Sequence, residues 1–351
     1  MKRKIYCGFL ILMLSAALLL PSCGNPSDGS VSGHAFAGPG ADPGAAAETT
    51  TEPVPEMTTE PAPETTTEPA SETTTEPAGR NNPLLEEWNA GMALYENGQY
   101  AEAAELFDHL ASFEYSDSAE MRDKCYDILT QPFRESMRDI KAGDTILFGS
   151  YEQDLVYSKG TWGDDIEWIV LAREDDRVLV ISKYVLASTV YHDWWYYVPW
   201  KDCYLRNWLN DFLVIAFKPH ERSLILPTEI SADPNPDCDT DPGDATIDKL
   251  FILSMKEAAQ YFPTDESGKC IPTKYAGYGH QIDTVLSDKA SELEVKDCML
   301  DGTYTCQWWL RTPGGERRAA VVDFNGQIST AGRMVDDNKC GIRPAMWISI
   351  E

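Results

Sequence analysis

The stretch TCQWWLRTPGG, residues 305–315, decides how this chain is read. Two tryptophans, a leucine and an arginine run into Pro313-Gly314-Gly315. A strand stops there, because proline lacks the N–H a ladder needs and glycine suits a turn. Alternation puts Trp309 and Arg311 on one face and Trp308 and Leu310 on the other. Both faces are apolar except at Arg311, so the stretch reads as core carrying one charge. A buried arginine needs an acid partner. A bidentate site for a ligand carboxylate is the sharper alternative for Arg311.

Outward from that strand, the two-residue period recurs on both sides. DTILFGSY (144–151), IEWIVLARE (166–174) and RVLVISKY (177–184) are rich in β-branched residues and read as strands, the last two joined by a hairpin over Asp175-Asp176. Asn325-Gly326 marks a hairpin inside AVVDFNGQIST (320–330), and GIRPAMWISI (341–350) reads as a final strand. DKLFILS (248–254) reads as a short buried strand, followed by a helix that Ser254 and Glu257 cap reciprocally. DCYLRNWLNDFLVIAF (202–217) has a helical period: Leu205, Trp208, Leu209, Phe212 and Ala216 share a face.

Further toward the N-terminus the period is helical. Asn82-Pro83 forms an N-cap with proline at the first helical position. Trp88, Gly91, Leu94 and Tyr95 form one stripe, Gly98-Gln99-Tyr100 a turn, and Ala103, Ala104 and Phe107 a second stripe. This resembles a tetratricopeptide helix pair. A third helix is expected from Ser118 with a D-x-x-E cap at Asp117 and Glu120. One unit cannot stack on others, so it packs on the next domain.

Residues 24–80 are of low complexity. Thr-Thr-Glu-Pro begins at Thr50, Thr58, Thr66 and Thr74, a period of eight. Proline and like charges extend such a segment and deny it a core, so it reads as a stalk. MKRK, an apolar run at Ile11–Leu20 and LPSC (20–23) precede it. This resembles a bacterial lipoprotein signal peptide, with Leu20, Ser22 and Cys23 matching its lipobox and Pro21 departing from it. The resemblance implies lipidation at Cys23 and a lipid anchor on the outer face of the cytoplasmic membrane. The expected organisation is signal peptide 1–22, disordered stalk 23–80, helical unit 81–142 and an α+β domain 143–351.

The formal charge is −28. The first 80 residues hold four of the 29 basic and ten of the 57 acidic side chains, so the remaining 271 carry 25 and 47, a charge of −22. Such a field repels phosphate backbones and argues against a nucleic-acid partner. Nine cysteines include no C-x-x-C and only five histidines accompany them, so no zinc framework is visible.

The ordered motifs FGSYEQD, IEWIVL, LVISKY, LRNWLN, DKLFILS, CIPTKYA, WWLRTPG and GIRPAMWI resemble the bacterial domain-of-unknown-function family 6273 over about 143–351. More distantly, Trp308-Trp309, the Asn325-Gly326 hairpin and Gly341-Ile342-Arg343 resemble the C-type-lectin-like fold, which formylglycine-generating enzymes use. On this resemblance Trp308, Trp309 and Arg343 are structural signature residues. Those enzymes carry a cysteine pair just after the tryptophan strand. Here LRTPGGERRAAVVDF follows Trp309 and holds no cysteine, which leaves the oxidase without its thiolate. No catalytic residue is nominated.

Two segments could hold a ligand. In YHDWWYYVPW (191–200) six of ten residues are aromatic without helical period, so the run reads as a loop. Trp194, Trp195, Tyr196, Tyr197 and Trp200 could stack on sugar rings or anchor a peptide; their other reading is cover for the core. In DCDTDPGDATID (237–248), Asp237, Asp239, Asp241 and Asp248 fall at positions 1, 3, 5 and 12 of a calcium-loop count. Pro242 takes the required glycine position and Asp replaces the final Glu, so this is no EF-hand. A looser calcium site and a solvated turn remain as readings. The expectation is an α+β, C-type-lectin-like surface lipoprotein that binds an extracellular glycan or protein without catalysis. An enzyme of unknown reaction and a purely structural interaction protein are the alternatives.

Overall fold

The computed structural model describes residues 82–153, 163–279, 284–286 and 304–351. The signal segment, Cys23, the stalk and Cys298 lie outside the described residues.

Three helices lead: α1 (Pro83–Glu96), α2 (Tyr100–Ala111) and α3 (Ser118–Ser136). Asn82 Oδ1 accepts from Leu84 N at 3.2 Å and starts α1 ahead of Pro83. Asp117 makes no side-chain cap hydrogen bond, so the D-x-x-E cap does not form. The helices enclose a small core of Ala103, Ala104, Phe107, Leu110 and Cys125, with Trp88 edge-on to Phe107 at 5.5 Å. The unit docks on the sheets. Phe133 of α3 meets Phe148 at 4.8 Å. Arg173 Nη1 donates to Met137 O (2.8 Å) and Ile140 O (3.0 Å), which ties the end of the helices to a strand.

Two sheets form the rest. The first is antiparallel, in the order β1 (Thr145–Tyr151), β2 (Asp164–Arg173), β3 (Arg177–Ser182), β13 (Ala345–Ser349). The second runs β11 (Ile328–Met334), β10 (Arg318–Val322), β9 (Trp308–Pro313), β12 (Gly341–Ile342), β4 (Ala187–Ser188); only β12 and β9 pair in parallel. Short ladders join β5 (Thr228–Ile230) to β6 (Thr246–Asp248) and β7 (Thr284–Leu286) to β8 (Tyr304–Cys306). Register shifts in β1, β2 and β10 bend the ladders, as bulges do. Gly149 lies in the β1 shift with φ +69°, and a Cβ there would meet the Phe217 ring at 2.5 Å. Only glycine fits that position.

Between the strands lie α4 (Tyr204–Ala216), α5 (Pro219–Leu224), α6 (Met255–Tyr261) and the single turn α7 (Asp265–Gly268). The apolar stripe of α4 buries Leu205, Leu209, Phe212 and Ala216 as its period predicts, with Trp208 half-buried. Ser254 and Glu257 cap α6 in both directions, Glu257 N donating to Ser254 Oγ (3.2 Å) and Ser254 N to Glu257 Oε2 (2.8 Å).

Two expected strands are corrected. Residues 250–254 are buried but form no ladder. Phe251 bridges Ala345, whereas Leu253 O accepts from Arg311 N at 2.9 Å. The segment divides its hydrogen bonds between strands of both sheets. The terminal GIRPAMWISI is two strands, because Pro344 cannot donate to a ladder and the chain changes sheets across Arg343-Pro344.

Candidate functional site

Every residue of β9 is buried. Trp308 Nε1 donates to Gly268 O (3.1 Å) and Trp309 Nε1 to Thr189 O (2.9 Å), so both indoles keep a partner inside the core. Arg311 is buried and fully engaged. Its Nη1 and Nη2 grip the Glu257 carboxylate in a bidentate pair, Nη1 also donates to Ile252 O (2.9 Å) and Nε to Ser231 O (3.1 Å). This overturns a ligand-anion role for Arg311: its donors are spent on the fold. Arg343 is also buried. It donates twice to Ser182 O, at 3.1 and 2.9 Å, and packs against the edge-to-face pair of Trp308 (4.8 Å) and Phe262 (5.0 Å).

The aromatic segment divides in two. Its ends are core. Tyr191 is buried, donates to Arg311 O (3.1 Å) and stands edge-on to Trp309 at 5.7 Å. Trp200 is buried too, with Nε1 donating to Asp248 Oδ2 at 2.9 Å; it anchors the loop and does not face a ligand. Tyr197 is half-buried and stacks on Tyr191 at 6.2 Å. Burial pushes the Tyr197 hydroxyl above its ordinary range, with added repulsion from Cys203 and Asp241. Between these anchors the chain projects into solvent: Trp194 is 58 % exposed, Trp195 55 % and Tyr196 48 %.

A shallow groove of about 610 Å³ runs beside these rings. Trp195, Tyr196 and Tyr197 line one side. Cys238, Asp239 and Thr240 line another, and the β9–β10 turn adds Glu316 and Arg317. The acidic loop is pinned to the end of β9. Asn235 Nδ2 donates to Pro313 O (2.7 Å), Cys238 Sγ to Gly314 O (2.8 Å) and Thr240 Oγ1 to Gly314 O (3.0 Å). The Pro-Gly-Gly turn that ends the buried strand therefore holds one wall of the exposed groove. Arg317 sits in the left-handed region at φ 60° and lays its guanidinium over the Trp195 ring, 4.6 Å from its centre. A side chain larger than glycine rarely adopts that φ, and such strain collects where structure over-determines it. Sequence reading missed Arg317, whose signal is only a non-glycine residue after Gly-Gly in a tight turn.

The calcium reading is overturned in its proposed form. Asp248 is buried and saturated: Oδ1 accepts from Arg206 Nε (2.7 Å), and Oδ2 from Trp200 Nε1 (2.9 Å) and Thr246 Oγ1 (2.6 Å). Asp241 Oδ1 accepts from Gly243 N (2.9 Å), a side-chain turn. Asp237 and Asp239 are exposed. Among the described residues no three Asp, Glu, His or Cys side chains converge where a metal could sit. Burial also raises the thiols of Cys125, Cys203, Cys270 and Cys306, that of Cys203 to about 12. None of these four is an activated nucleophile.

Compared with known protein families, residues 175–350 match the domain of unknown function DUF6273. The chain belongs to that family. The match opens at Asp175, in the β2–β3 hairpin. It takes in the aromatic loop, β9 and both halves of the final segment, while β1 and β2 complete the first sheet from outside it. Neither curated proteins nor solved structures give a match.

Proposed function

We propose that this family member is a non-catalytic binding module that takes a glycan on the exposed faces of Trp194, Trp195 and Tyr196. One observation carries the reading: three neighbouring large rings stand about half exposed between anchored ends. Full burial of each would stabilise the fold by roughly 1.5–3 kcal/mol, which the chain forgoes. Single exposed apolar residues are ordinary, but contiguous ones mark interaction sites. Flat rings stack on the C–H faces of sugars, and the Asp239 and Thr240 oxygens beside them accept from hydroxyls.

We place the module on a cell surface, anchored through a lipid on Cys23 and held out by the Thr-Glu-Pro stalk. We also read its fold as C-type-lectin-like, with the tryptophan strand β9, the β10–β11 hairpin and the Gly341-Ile342-Arg343 strand as the shared parts.

A glycan array followed by titration calorimetry on the full chain in detergent tests the binding reading. The Trp194→Ala/Trp195→Ala double variant should lose binding by tenfold or more at unchanged melting temperature. An unaltered isotherm for a folded double variant would falsify the reading. Lipid labelling that survives Cys23→Ala would sink the anchor.

A further inference from the structure

The groove's chemistry selects among glycans, and the inference rests on the binding reading above. We propose that the groove takes an amine-bearing sugar, a glucosamine-type glycan in its ammonium form. Arg317 holds the cation place on Trp195 until that ligand displaces it.

Three observations support this. First, the groove already holds a cation on an aromatic face: the Arg317 guanidinium lies 4.6 Å from the Trp195 ring centre. The ring quadrupole attracts ammonium as it attracts guanidinium. Second, the surroundings are acidic. Asp239 and Glu316 line the groove, both exposed. Asp193 precedes the exposed rings, and Asp241 acts electrostatically on Tyr197. Among the described residues the carboxylate paired with Arg317 is Glu316, which stands 3.6 Å from it and is itself largely in solvent, so it holds Arg317 weakly. Third, residues 81–351 carry −22, a field that draws cations in and turns anionic glycans away.

A sugar suits the shape better than a basic peptide. All groove-lining residues lie outside strands, so no strand edge is offered to a peptide backbone. The left-handed turn of Arg317 gives its role a distinctive sign. Residues that bind a ligand directly lose affinity when removed. A residue that competes with the ligand does the opposite, and glycine suits φ 60° better than arginine does, so Arg317→Gly should keep the fold.

The experiment titrates the full chain in detergent with a fully de-N-acetylated glucosamine hexamer and with its N-acetylated counterpart. The de-N-acetylated hexamer should bind at least about tenfold tighter, and added salt should weaken it. Arg317→Gly should tighten it about threefold or more, the order of one exposed cation–π contact. Asp239→Asn/Glu316→Gln should weaken it, and melting curves should show both variants folded. Equal binding of the two hexamers overturns the amine assignment and leaves stacking on the rings standing. Weaker binding by Arg317→Gly, with capture of an oligogalacturonate, overturns it in favour of an anionic sugar. Binding of oligolysine but of neither hexamer overturns it in favour of a basic peptide. Failure of every array glycan and both hexamers removes the glycan reading along with it.

Discussion

The chain carries two adjacent tryptophan pairs with opposite fates. Trp308-Trp309 lies in a central strand, fully buried, with both indole N–H groups donating to backbone carbonyls. Trp194-Trp195 lies in a loop, more than half exposed, with a guanidinium laid over one ring. The residue type is the same, so the neighbours decide. Trp308-Trp309 is followed by Leu310 in a strand paired on both edges, to β10 and β12, and its two faces both lie within the main hydrophobic core. Trp194-Trp195 follows His192-Asp193 and is flanked by Tyr191 and Trp200, which already fill the core beneath the loop. Aromatic content alone therefore does not set the fate of a ring; what surrounds it does.

The sharpest way to break the contrast is to truncate one ring of each pair. Trp309→Ala should destabilise by about 3–5 kcal/mol, the cost of an emptied aromatic core position. Trp195→Ala should stay within about 0.5 kcal/mol, as surface changes do. Urea titration of both variants checks this, and a large loss for Trp195→Ala would make the exposed pair structural. Next comes the charge beside the buried pair. Glu257→Gln leaves the Arg311 guanidinium without its carboxylate and should cost about 3 kcal/mol. If Arg311 instead served a ligand, glycan affinity would fall before stability did.

Asp248→Asn loosens the anchor under the exposed pair, because Arg206, Trp200 and Thr246 all donate to that carboxylate. A loss of about 2 kcal/mol is expected, the scale of charge-assisted hydrogen bonds, together with weaker binding as Trp200 shifts. Calcium should leave its melting curve unchanged. The smallest effect is a control belonging to neither pair. Burial, helped by Lys218, lowers the His220 pKa. The folded state thus holds fewer protons on this ring than the unfolded chain does. Stability should fall as pH falls below about 6.5, where the unfolded imidazole takes its proton. Neighbouring Glu221 is shifted up by burial and acts with the opposite sign, losing stability as pH rises above the ordinary Glu range of about 4.3. His220→Gln should flatten the fall below 6.5 in thermal melts, and leave glycan binding unaltered.

Much of this was legible locally. The alternation of β9, the stripe of α4, the Ser254–Glu257 cap and the Asn325-Gly326 turn each rest on contacts a few residues apart. The unperiodic aromatic loop was legible as a loop. What escaped depends on distant partners. Trp200 is core because Asp248, 48 residues on, accepts its N–H, and the same bond removes Asp248 from any metal set. Residues 249–254 have strand composition but meet two sheets at once. Arg317 over Trp195 joins residues 122 positions apart, which no local pattern encodes.

The break at Arg343-Pro344 bears on how the protein is made. Gly341 and Ile342 insert between β9 and β4, and Ala345–Ser349 close the edge of β3. One nine-residue segment thus stitches both sheets. A nascent chain that has already produced β1–β3 and β9–β11 still has a gap in one layer and an open edge on the other. Folding has to wait for this late segment, and such distant pairings form slowly. Cutting after Lys339 should therefore leave no half-folded domain behind, but a chain with both layers unlocked and open to proteolysis.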